Sequence, residues 1–209
     1  MALVKYNNNS ISSVTAATGL ANGAMTHIKT LTASSSATLS FVDGTDSVVL
    51  DSTYPIYVFK FINIHPATDL ANFRFQGSTN SGSSYGVTIT STAFLAYNRE
   101  DDSTAALGYQ ASGDLAQSTS FQNITQEIGN GSDESMSGSL FIFNPSSTTF
   151  VKHWINESHH MDGTGSPLAV RDMMAGYFNT TSAINAFQFK MSSGNTDAGQ
   201  IKLYGIKDS

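Results

Sequence analysis

The chain has 209 residues, no cysteine and a formal charge of −6, with 12% charged against 40% apolar residues. The missing cysteine excludes disulfides and thiolate metal sites. Ten scattered Lys and Arg argue against a nucleic-acid partner and against attraction to an anionic membrane.

Residues 1–24, rich in Asn, Ser, Ala and Gly, read as an arm or irregular lead-in to one β domain spanning 25–209. The start of the chain lacks the apolar core of a signal peptide, so synthesis in a cytoplasm is expected. From Met25, THIKTLT and ATLSFV read as two strands joined by a hairpin turn at Ser34–Ser36. A short apolar segment, Val48 to Leu50, follows the turn at Asp43–Asp46. The segment IYVFKFINI (56–64) puts Tyr57, Phe59 and Phe61 on one side and Ile56, Val58, Ile62 and Ile64 on the other. Because side chains alternate along a strand, both of its faces should be at least partly covered. The aromatic row, with Phe73 and Phe75 of the next strand, is assigned to the core. Part of the other row is assigned to a second layer or a neighbouring subunit.

YGVTITS and AFLAY continue the strands, and the charged loop REDDSTA precedes a weak strand at ALGYQ. Residues 110–120 read as loop. SLFIFN turns at Asn144-Pro145-Ser146 into FVKHWI, and PLAVRDMMAGYF fits a strand or a short helix. INAFQFKM and GQIKLYGI close the pattern, with the last strand built into a sheet. Short strands, frequent turns and no βα alternation predict an all-β fold, an antiparallel β-sandwich of jelly-roll-like form.

The densest group of candidate ligands is His153, Glu157, His159, His160 and Asp162. Imidazole and carboxylate suit zinc or iron, but adjacent His159 and His160 cannot address one ion from an extended segment. A polar strand end and loop is the favoured reading. Arg99, Glu100, Asp101 and Asp102 lack the alternating Asp and Gly of a calcium loop and read as a solvated loop. The one Gly-x-Ser-x-Gly match, Gly82-Ser83-Ser84-Tyr85-Gly86, falls in the polar loop 77–86 rather than on a strand-to-helix elbow, and no phosphate-binding glycine motif or distinctive carboxylate pair is present, so no catalytic, metal or cofactor residue is assigned. Trp154, Tyr57, Tyr85, Tyr97, Tyr109 and Tyr177 could form a sugar-stacking platform, although aromatics in strands more often fill a core or an interface.

Three segments, DSTYPIYVFKFINIHPATDLANFRFQGSTNSGSSYG, GSLFIFNPSSTTFVKHW and AGYFNTTSAINAFQFKMSSGNTDAGQIKLYGIK, resemble a family of virion structural proteins of tailed bacteriophages, especially those of marine cyanobacteria. The resemblance runs from about Thr32 to Lys207 and brings no catalytic motif with it. It implies a non-enzymatic capsid decoration or fibre-associated protein, made in the host bacterial cytoplasm and located in the virion. Its expected partners are other phage virion proteins and further copies of itself, a trimer being favoured. The Tyr-, Ser- and Asn-rich loops motivate the alternative, a host-receptor or carbohydrate-binding module of a virion fibre with a host surface glycan as its possible partner.

Overall fold

The computed structural model describes residues 24–162 and 167–207. The expected arm, residues 1–24, lies outside them apart from Ala24. The described residues form twelve strands and no helix: β1 (Met25–Thr32), β2 (Leu39–Val42), β3 (Ile56–Pro66), β4 (Ala71–Ser78), β5 (Ile89–Arg99), β6 (Ala105–Tyr109), β7 (Gln122–Ile128), β8 (Met136–Phe143), β9 (Lys152–Asp162), β10 (Leu168–Phe178), β11 (Ala186–Met191) and β12 (Thr196–Ile206). The all-β, antiparallel class expected from the sequence is therefore what the chain adopts.

Every ladder is antiparallel. One run of neighbours is β1-β12-β3-β8-β9-β10-β5-β6 and the other is β7-β4-β11-β2. The two runs join only where Ile128 pairs with Asp162, so the whole is a nearly closed sheet. The hairpin expected at Ser34–Ser36 does not form. Instead β1 pairs with β12 and β2 with β11, and the serines carry the chain from one free end of the sheet to the other. Ser36 is fastened on the way by a bridge to Thr196. Residues 168–178, which fit either a strand or a helix, form a regular strand paired on both sides.

The core lies between the two runs and is built of rings. Phe59 of β3 meets Phe189 at 5.0 Å and Phe187 at 5.4 Å on β11, and Phe41 of β2 at 5.2 Å. Phe61 meets Phe73 of β4 at 5.4 Å, and Phe75 meets Trp154 of β9 at 5.2 Å. Most of these contacts are edge-to-face, the arrangement favoured by the ring quadrupole and worth about 0.5–1.5 kcal/mol per pair beyond area burial. Tyr57, Phe59, Phe61, Phe73 and Phe75 are all buried, as their spacing predicted.

The opposite row of β3 departs from expectation. Val58 is fully buried, flanked in register by Phe141 of β8 and Tyr204 of β12, whereas Ile62 is 38% exposed. Ile64 is not on that row at all. A bulge between Phe61 and Ile64, with Asn63 at φ 49°, inserts one residue and turns Ile64 into the core opposite Met136.

Candidate functional site

Strict alternation along β9 decides the fate of the sequence candidates. His153, Ile155, Glu157 and His159 point outward, whereas Lys152, Trp154, Asn156, Ser158, His160 and Asp162 point inward. The five candidate ligands are thus divided between two faces of one strand, and Glu157 is engaged by Arg171. Among the described residues, no group of three His, Cys, Asp or Glu is placed to hold a metal ion. Arg99 to Asp102 lead into the turn joining β5 to β6. There the Asp101 carboxylate accepts hydrogen bonds from Ser103, which hold its pKa below the ordinary aspartate value.

The six aromatics of the candidate sugar platform are likewise dispersed. Tyr57 and Trp154 are buried, Tyr85 lines a polar hollow with Asn179 and Thr180, and Tyr97 belongs to the inward set of β5. Tyr109 stands exposed on β6. Only Trp154 and Tyr177 share a site, a hollow of about 490 Å³ lined also by Phe143, His153, Ile155 and Ala175. The rings of His153 and Tyr177 lie 6.1 Å apart at its wall. Gly176 permits this packing, because a Cβ there would lie 2.6 Å from Trp154 Cζ2 and 2.6 Å from Thr90 O.

The hollow belongs to a larger feature, the outward face of the eight-strand run. In register across it lie Tyr204, Val58, Phe141, Ile155 and Ala175, and in the next row Met173, Phe94 and Tyr109. Phe94 and Tyr109 pack edge-to-face at 5.4 Å. Large apolar side chains on this face remain open to solvent: Ile155 is 48% exposed, Phe94 45%, Tyr109 52% and Leu107 70%. Such a grouping of exposed rings and aliphatics marks a contact surface more often than an isolated exposed leucine would.

Sequence reading missed β7 altogether, and with it the main polar cluster of the interior. Gln122, Asn123, Thr125 and Gln126 are buried in that strand. Gln122 Nε2 donates to Gly113 O at 2.7 Å, and Asn156 Nδ2 and Ser158 Oγ donate to Ile124 O at 2.8 and 3.0 Å. Thr125 Oγ1 lies 2.6 Å and Asp172 Oδ2 3.0 Å from the same atom, His160 Nδ1. This Thr-His-Asp group resembles a nucleophile, base and orienting acid, but a relay uses both ring nitrogens, one for each partner. With both partners on Nδ1 the group ties β7, β9 and β10 together and cannot pass a proton from hydroxyl to carboxylate through the ring. The sequence carries a weak trace of it, since only the alternation of β9 tells His160 from His159.

Lys152 is the other buried charged group of note. Its Nζ donates to Phe150 O at 2.9 Å and Thr180 O at 3.1 Å, and burial pulls its ammonium pKa below the ordinary value. Both acceptors are backbone carbonyls, so it staples two loops. A comparison of the chain with protein-family models, curated proteins and solved structures finds no match in any of the three.

Proposed function

We propose that the protein is a non-enzymatic structural component of a tailed-phage particle, a capsid decoration or fibre-associated protein that self-associates and docks on another virion protein. In this reading the nearly closed sheet is a variant of the jelly-roll-like sandwich, with eight strands facing four across a ring-filled core. The observation that carries the proposal is the outward face, where Phe94, Leu107, Tyr109 and Ile155 lie open on a rigid sheet. A scaffold with its chemistry confined to structural hydrogen bonds and its apolar surface turned outward suits attachment. The resemblance in the sequence supplies the particle, and the −6 charge agrees with a protein rather than a nucleic-acid or membrane partner.

The direct test is association with phage particles from which the protein has been genetically removed. Purified protein should rebind with a fixed copy number, and the double variant Phe94→Ser, Ile155→Ser should rebind at least tenfold more weakly. Failure of the unaltered protein to bind particles, with detection in the host cell only, would sink the reading.

A second reading, a glycan-binding module of a virion fibre, is favoured by the hollow around Tyr177 and His153. Aromatic rings beside a shallow depression suit a sugar face, and repeated copies would multiply a weak single-site affinity. Saturable binding to host cells that is lost in Tyr177→Ala would support it, and its absence on a host glycan panel would remove it.

A further inference from the structure

We infer that β6 is the self-association edge and that it pairs antiparallel with β6 of a second copy about a two-fold axis at Leu107. This rests on the self-association in the reading above and names its surface. The strand is Ala105-Ala106-Leu107-Gly108-Tyr109, all five residues are exposed, and its only neighbour among the described residues is β5. An edge of this kind offers a row of unpaired N–H and C=O groups, and stable monomers blunt such edges with charge, proline, bulges or brevity. The other two end strands, β1 and β2, are treated in that way. β1 carries Lys29 and a bulge between His27 and Lys29, and β2 has four residues. β6 has no charged residue, no proline and no break in its register with β5.

The hydrogen bonds to β5 fix which groups of β6 are free. Gln110 N donates to Ala93 O and Arg99 N donates to Thr104 O, so residues 104 and 110 turn their main-chain groups toward β5. By alternation Ala106 and Gly108 do the same, leaving the N–H and C=O of Ala105, Leu107 and Tyr109 directed away. Placed antiparallel about Leu107, a second copy sets Leu107 opposite Leu107 and Ala105 opposite Tyr109. Every outward N–H then meets an outward C=O of the copy.

The side chains obey the same symmetry. Ala105, Leu107 and Tyr109 share the outward face, so each bulky Tyr109 stands across from a small Ala105. A foreign strand would need no such match, whereas an isologous contact demands that the surface fit itself. The strand brings no like charges together, although each chain carries −6. Two outward faces would then join into one, making the exposed apolar surface continuous across the pair. The expected assembly is a dimer, in place of the trimer expected from the sequence.

Two variants and a mass measurement test this. The unaltered protein at micromolar concentration should have the mass of two chains by light scattering. Leu107→Lys should have the mass of one, with an unchanged circular-dichroism spectrum. Leu107→Cys is the second probe, because the chain has no other cysteine and directly opposed residues of such a pair lie ~5.5 Å apart at Cα, within disulfide reach. Mild oxidation should convert most of it to a covalent dimer, whereas Met25→Cys, exposed on β1 at the far edge, should stay uncrosslinked. An oligomer that persists in Leu107→Lys and leaves Leu107→Cys uncrosslinked overturns the β6 assignment while self-association stands. A monomer at every concentration overturns both.

Discussion

Tyr57 shows how one side chain can carry a pH dependence for the whole fold. Its ring lies in the core and its hydroxyl donates to Asp51 O at 2.9 Å. Burial, aided by the nearby Asp51 charge, pushes the phenol pKa well above the ordinary tyrosine value. In the unfolded chain the same phenol loses its proton near about pH 10. The folded form therefore binds more protons above that pH, and stability falls as pH rises. Lys152 acts in the opposite sense: its lowered pKa means that the unfolded chain holds the extra proton, so rising pH in the alkaline range adds stability. Substituting Tyr57→Phe isolates the first effect. Urea midpoints measured at about pH 8 and about pH 11 should differ less in this variant than in the unaltered protein. An equal alkaline loss in both would show that the phenol is not its source.

At the scale of elements, the bulge in β3 illustrates how backbone geometry redirects a periodic pattern. Asn63 takes φ 49° and, on the neighbouring strand β12, Gly199 takes φ 109°. A Cβ on Gly199 would lie 2.4 Å from Asn63 O, so a side chain there meets both backbone strain and a direct clash. Gly199→Ala should destabilise the fold by about 3 kcal/mol, read as a drop in denaturant midpoint at unchanged slope. A change within about 0.5 kcal/mol would mean that the bulge can relax. The strict period of two makes the Tyr57, Phe59, Phe61 row legible in the sequence, but not the inward turn of Ile64, because an inserted residue leaves no mark in hydropathy. Strand β7 was invisible for a different reason. Its buried Gln122, Asn123, Thr125 and Gln126 give no apolar alternation and so carry no strand signal, since nothing local announces the carbonyls and the imidazole that satisfy them. The Ser34–Ser36 hairpin failed because turn chemistry reports that the chain bends, not which strand it bends toward. Of the candidate surface, the aromatics were legible singly. Their grouping depended on the β9, β10 and β5 registers, which only tertiary pairing sets.

For the whole molecule, the decisive feature is that β12 lies between β1 and β3. It covers the core with Ile201 and Leu203, both fully buried, and it is the hydrogen-bonded neighbour of two strands. Deleting residues 196–207 should therefore abolish cooperative unfolding rather than merely lower its midpoint, with loss of the near-ultraviolet circular-dichroism signal. A truncated chain that still melts in one sharp transition would show that the remaining strands suffice. The same arrangement has a bearing on synthesis. The ribosome releases β1 long before its partner exists, and at 5–20 residues per second the wait across the intervening ~160 residues is on the order of ten to thirty seconds. During that interval β1 lacks its neighbour, so an unfinished product should be open to proteases and chaperones as an incomplete fold. Translation that stops early then leaves the N-terminal strand without the neighbour that completes its edge of the sheet.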